Sequence, residues 1–160
     1  MGMRRKDREL SLQEAWAILE QGIYGVLATA NQDGQPHGTP ISYVADKENN
    51  SIYFHCAKTG QKTQNMEQNA KMCFTVVTQA NPVFIPDPLN YTVYYTSAMA
   101  YGHVQRLSDG DKKRAAMTLV SKYFPENAKA ADGYYESAGA YIDVWQITID
   151  SVTAKSHQRP

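Results

Sequence analysis

The chain reads as a mainly β protein of the α+β class: six antiparallel strands closing, or nearly closing, a barrel with helices around it. Three observations carry this reading. Between Ile23 and Ala57 three strand-like runs are joined by short polar turns, with no helical crossover of the kind a doubly wound parallel sheet needs. Beyond residue 70 three further strand-like runs follow, the last alternating Tyr141, Asp143, Trp145, Ile147, Ile149 against Ile142, Val144, Gln146, Thr148. The helical patterns lie before and between these strands, which places them around a sheet.

The elements follow in order. Ser11-Leu12-Gln13-Glu14 is a capping box, because the Ser11 hydroxyl and the Glu14 carboxylate can each cap the other's amide. Its helix sets Leu12, Ala15, Trp16 and Leu19 on one face, and Gly22 stops it. Ile23 to Ala30 is an apolar strand, Asn31-Gln32-Asp33-Gly34 a tight turn, and His37 to Ala45 the returning strand. Asp46 to Asn50 turns into the strand at Ile52–Ala57, and a helical segment runs from Lys58 to Asn69. A strand from Lys71 to Thr78 precedes a loop, Gln79 to Asn90, whose Pro82, Pro86 and Pro88 cannot belong to a central strand. A long strand spans Tyr91 to Leu107, with Gly102 marking a bulge or close approach. Ser108 caps a helix through Phe124 with Ala116, Leu119, Val120 and Tyr123 inward; Asn127 to Gly139 is irregular and rich in small residues, with room for a short helix.

Composition narrows the function. The 160 residues are read as one domain, 1–160. Sixteen basic and sixteen acidic residues cancel, so no global field draws nucleic acid or an anionic membrane, and phosphate binding must be local. Eleven tyrosines suit half-buried sheets and sites with a wet rim. Cys56 and Cys73 lack metal spacing and read as small core residues of a reducing cytoplasm rather than a bridge. The charged N-terminal stretch is no secretory signal, Lys6 stands where a myristoylation signal needs Ser or Thr, and no apolar run approaches a membrane span. A soluble, cytoplasmic protein is expected.

The stretch from Phe54 to Asn65 points most directly to chemistry. Lys58 and Lys62 fall at a helix N-terminus, where the dipole and unpaired amides already carry positive charge. A bound anion resolves the conflict: amides, Lys62 and the hydroxyls of Thr59 and Thr63 can address one phosphate, and Gly60 lets backbone approach it. With Met66 almost its only apolar residue, packing is not this helix's main purpose. A solvated helix with ordinary lysines is the alternative. Strand parity sets Ile52, Phe54 and Cys56 on the core face and Tyr53, His55 and Ala57 on the other, which makes His55 a site candidate or a structural histidine. In Thr39-Pro40-Ile41-Ser42-Tyr43 the proline removes a ladder bond, leaving an edge, a bulge, or backbone groups that address a ligand. Histidine pairs at metal spacing, Gly-x-Ser-x-Gly, and the nucleotide-binding glycine motifs are all missing. A phosphate grip without catalytic groups fits a protein whose cofactor carries the reaction.

Taken together, Met3–Glu9, Tyr24-Gly25-Val26-Leu27-Ala28-Thr29, Gly34-Gln35-Pro36, Thr39-Pro40-Ile41-Ser42-Tyr43, Ile52–Ala57, Gly60-Gln61-Lys62, Asn69–Phe74 and Tyr101-Gly102-His103-Val104 resemble the FMN-binding split-barrel family of pyridoxamine 5'-phosphate oxidase. Within it the chain is most similar to the nitroimidazole-resistance group. The resemblance spans Met3 to about Lys155 and implies a six-stranded antiparallel split β-barrel of Greek-key topology. It further implies a homodimer with FMN at the interface, and reduction of small molecules such as nitroaromatic (nitroimidazole) compounds with NAD(P)H. A non-enzymatic flavin- or haem-binding module or sensor of the same fold is the alternative. The implied cofactor residues are Thr39, Pro40, Ile41, Ser42, His55, Ala57, Lys58, Gly60 and Lys62, with His55 also the candidate catalytic group. The family grips the phosphate with Ser-Arg-Lys where this chain has Gly60-Gln61-Lys62, so only the lysine carries over, which speaks against a true pyridoxamine-phosphate oxidase. The partner subunit's C-terminal strand covers the flavin in such dimers. Trp145 and Lys155 are the residues that would do so here, unless they are barrel core and solvated tail.

Overall fold

The computed structural model describes residues 3–158. Helix α1 (Leu12–Gln21) opens on the expected capping box: the Ser11 hydroxyl accepts from the Glu14 amide, and the Glu14 carboxylate accepts from the Ser11 amide at 2.8 Å. It buries Ala15, Trp16, Ile18 and Leu19. Leu12, expected on that face, is 63% exposed. As the first helical residue its side chain leans back over the N-terminus, past the sheet that covers the later turns.

The strands are β1 (Tyr24–Ala30), β2 (Pro36–Ser42), β3 (Val44–Asp46), β4 (Ser51–Ala57), β5 (Lys71–Ile85), β6 (Asn90–Arg106) and β7 (Ile142–His157). They form one antiparallel sheet in the order β2-β1-β5-β6-β7-β4-β3. Seven strands replace the six expected because the run His37–Ala45 divides at Tyr43. Its first part pairs with β1 and its second with β4, so the two ends of the sheet are separated by one residue. The sheet must therefore curl until its edges meet. Tyr43 holds that junction: its ring is fully buried and its hydroxyl donates to the Leu19 carbonyl at 2.6 Å. Its backbone N–H donates to the Tyr123 hydroxyl at 2.8 Å, which itself lies 2.7 Å from the Tyr43 carbonyl and 2.6 Å from that of Ile23. One phenol thus replaces the ladder where the strand breaks.

The expected loop at Gln79–Asn90 is instead the far half of a long hairpin, with Pro82 opposite Val93. β1 pairs with β5 only over Cys73–Val76. Beyond that point β5 is an edge, where a missing N–H leaves no ladder bond unmade. A bulge between Val77 and Gln79 marks the change. At Gly102 the β6–β7 register shifts and a Cβ would lie 2.0 Å from the Thr148 carbonyl oxygen, the close approach the sequence suggested.

Helix α2 (Gln61–Gln68) follows β4, and α3 (Asp109–Tyr123) and α4 (Ala128–Ala138) join β6 to β7. α4 occupies the segment expected to be mostly irregular. Two cores result. The first lies inside the curled sheet under α1 and includes Leu19, Leu27, Phe54, Phe74, Trp145 and Ile147; the second joins Val44, Tyr53 and Val144 to Ala115, Ala116 and Leu119 of α3. Among the described residues no helix is long and apolar enough to cross a membrane.

Candidate functional site

The candidate residues meet where β2 and β4 part. Val44 pairs with Tyr53; continuing that register sets Ser42 opposite His55 and Pro40 opposite Ala57. At Tyr43, however, the chain leaves β4 and takes up β1, while β2 and β4 remain neighbours. Each strand therefore faces the other across a split with half its backbone groups unclaimed by a ladder. Ile41 and Cys56 are buried on the inner side, while Pro40, Ala57 and His55 are exposed and Ser42 half-buried on the outer. The Thr39 hydroxyl, at the end of this split, is buried with no hydrogen-bond partner.

At the mouth of the split Lys58, Thr59 and Gly60 bend into α2, with Lys58 exposed and Lys62 half-buried. Gly60 is the N-cap, with φ of +138°, and a Cβ on it would have no atom within 4 Å. It offers no side-chain cap, and Gln64 is the residue whose amide closes the first turn onto the Gly60 carbonyl at 3.1 Å. The amides of Gln61, Lys62 and Thr63 are left as the free donors of a helix start. These features fit a phosphate ester with its chain lying along the split.

Two expectations change here. Thr63 is buried and its hydroxyl donates back to the Ala57 carbonyl at 3.4 Å, so it pins the bend rather than addressing a ligand. Packing also holds α2 in place, through a polar inner face: Gln61 donates to Asn65 Oδ1 at 2.8 Å, and buried Asn65 donates to Thr29 Oγ1 at 3.1 Å, beside Met66. Hydrogen-bonded polar groups can fill an interface that a count of apolar residues misses.

On β4, Ile52, Phe54 and Cys56 face the first core as parity required. Tyr53, expected on the site side, is buried in the second core, because α3 covers that part of the outer face. His55 lies one step beyond this cover. It lines, with Ser42, a cavity of about 290 Å3 roofed by α3 and α4. Burial pushes its imidazole below the ordinary histidine range, and burial raises the Cys56 thiol behind it. Leu119, Val120 and Tyr123 lie on the helix face expected to be buried, but α4 holds this face away from β4 and leaves a chamber. The small residues Ala131, Ala138 and Gly139 in the cavity wall were the available signal.

Trp145 and Lys155 do not join the site of their own chain. Trp145 is 3% exposed in the first core, opposite Phe54, with the Arg106 guanidinium 4.9 Å from its ring centre. Its ring is therefore part of the core of its own chain. Lys155 is exposed, beside the Tyr95 ring, and thirteen residues along β7 from the residue paired with Ala57, roughly 40 Å measured along the strand.

Residues 11–156 match the pyridoxamine 5'-phosphate oxidase family. No curated protein matches the sequence at a significant level. Among solved structures, the chain is similar to a candidate 5-nitroimidazole antibiotic resistance protein from Bacteroides thetaiotaomicron (21% identity, 92% of this chain and 86% of that one, TM-score 0.79). It is also similar to a flavocytochrome from Azotobacter vinelandii (19%, 99% and 73%, TM-score 0.79). A third is an FAD- and haem-binding protein from Mycobacterium smegmatis (15%, 95% and 74%, TM-score 0.82). Identities this low establish a common fold.

Proposed function

The chain belongs to the pyridoxamine 5'-phosphate oxidase family, and from that premise we propose that it is an FMN-dependent reductase of small molecules such as nitroaromatic compounds. The observation that carries the reading is the join of the split to the α2 start: backbone edges of Thr39–Ser42 and His55–Lys58 end on free amides and two lysines. The amides of Gln61, Lys62 and Thr63 hold the phosphate, with Lys62 and Lys58 neutralising it. The Thr39 hydroxyl, otherwise unpartnered, reaches the ribityl chain, and the edges of Pro40 and Ala57 flank it. A flavin held by these residues would supply hydride transfer from NAD(P)H to the substrate. His55 orients the acceptor and holds a neutral imidazole beside it.

A homodimer completes the reading. By register, Tyr24, Val26, Val77 and Tyr101 share the outer face of β1, β5 and β6, and all four are exposed. An apolar face of this extent suits a second copy. The relatives that carry haem keep a flavin- or haem-binding module as the second reading. The visible spectrum of the purified protein, followed by NAD(P)H oxidation with and without a nitroimidazole, tests both. Flavin absorbance with acceptor-dependent turnover supports the reductase; flavin or haem absorbance without turnover supports the module; a colourless protein that takes up neither refutes both.

A further inference from the structure

The outer face bearing half-buried Ser42 and exposed His55 is partly covered. Helices α3 and α4 stand over it and enclose about 290 Å3, walled by Leu119, Val120, Tyr135 and Ile142, with Ser42 and His55 at the strand end. A cavity of roughly 150 Å3 admits a benzene ring, so about twice that volume admits two fused rings and falls short of a whole flavin. Among the described residues, no Asp, Glu, Lys or Arg side chain lines it. The nearby charges are used elsewhere: Lys122 donates to the Gly22 carbonyl at 2.6 Å, Lys112 to the Gly139 carbonyl at 2.7 Å, and Lys113 pairs with Asp132 and Glu136. An anion placed inside would lose its hydration and gain no counter-charge. With the Tyr123 phenol engaged at the Tyr43 junction, the polar capacity on offer is one imidazole, one hydroxyl and the phenol of Tyr135, enough to orient a single hydrogen-bonding substituent.

The chamber lies one outward pair along the split from Pro40 and Ala57, and so adjoins any ligand that runs along the split from the α2 start. We propose that it is the substrate chamber, taking uncharged molecules of one or two fused rings whose polar substituent docks on His55 and Ser42. Phosphorylated substrates are excluded, despite the family to which the chain belongs. The inference rests on the flavin reading for the role of the occupant, while the binding itself can be measured independently.

Equilibrium dialysis of 2-naphthol and 2-naphthyl phosphate, with and without saturating FMN, provides the test. The expected result is one 2-naphthol per chain in both states, and at least tenfold weaker binding of 2-naphthyl phosphate. Ala116→Phe and Val120→Phe, which fill the chamber from α3, should each weaken 2-naphthol at least tenfold and leave FMN uptake within twofold. If one variant fails to fold by circular dichroism, the other is read. Equal binding of the two probes, unchanged 2-naphthol affinity in a folded variant, or displacement of 2-naphthol by FMN overturns the proposal. Loss of FMN uptake in a folded chamber variant also overturns it, because the flavin ring would then occupy the chamber. Wild-type protein that binds 2-naphthol but takes up no FMN refutes the flavin reading instead.

Discussion

Removing one oxygen atom tests how the split is held open. In Tyr123→Phe the phenyl ring stays and the hydroxyl that bridges Tyr43 N–H, Tyr43 C=O and Ile23 C=O is lost. A hydroxyl has one hydrogen, so the wild-type group accepts from the Tyr43 amide and donates to one carbonyl at a time. The variant leaves a backbone donor at a buried junction without a partner. Such a group costs about 1–3 kcal/mol. Tyr43 cannot compensate locally, because its own hydroxyl is engaged with Leu19 and the strand break denies its amide a ladder partner. At this chain length the loss corresponds to a fall in Tm of roughly 3–10 °C. Urea unfolding followed by far-UV circular dichroism measures it directly, with Tyr135→Phe as control, since that phenol has no such bridge. A Tyr123→Phe midpoint equal to wild type would refute the claim that this hydroxyl substitutes for the ladder between β2 and β3.

Three further outcomes follow from the geometry. Gly102→Ala forces a Cβ onto the Thr148 carbonyl oxygen, a backbone atom, and should cost more than about 3 kcal/mol in urea unfolding; near wild-type stability would contradict the close approach. Burial holds the His55 imidazole below its ordinary pKa, so the unfolded chain takes up a proton first as pH falls. This share of stability is complete above about pH 6.5 and is lost as pH drops below it; His55→Ala should flatten the acid limb of midpoint against pH, and an unchanged slope would count against burial. Light scattering should give a dimer mass, and Tyr101→Glu, placing charge on the exposed face of β6, should shift it to monomer while the fold is kept; a wild-type monomer with flavin bound would refute the dimer.

Local chemistry made much of this legible. Ser11 and Glu14 announce a helix start within four residues, and the parity of Ile52, Phe54 and Cys56 needs nothing beyond the strand itself. The close approach at Gly102 was readable for the same reason. What escaped depends on partners distant in sequence. Whether Pro82 sits in a strand depends on β1 ending at Val76's partner, and whether Tyr43 continues a strand depends on Tyr123, eighty residues away. Trp145 looks alike as a core residue or an exposed lid until Phe54 and Arg106 are set around it. The site showed the same division. The segments Thr39–Ser42 and His55–Lys62 carry their own signals, a proline in a strand and lysines at a helix start. Their juxtaposition across the split, and the chamber above it, come from the closure of the sheet and the packing of α4.

On the proposed reading, the start of α2 holds the phosphate of a flavin. Dissociation constants of FMN and riboflavin for wild type and Lys62→Ala test it most directly. One charge-assisted hydrogen bond is worth about 1.5–3 kcal/mol, so the variant should lose FMN affinity ten- to hundredfold and keep riboflavin within twofold. Equal losses for the two flavins, or a wild-type protein that binds them equally well, would contradict it.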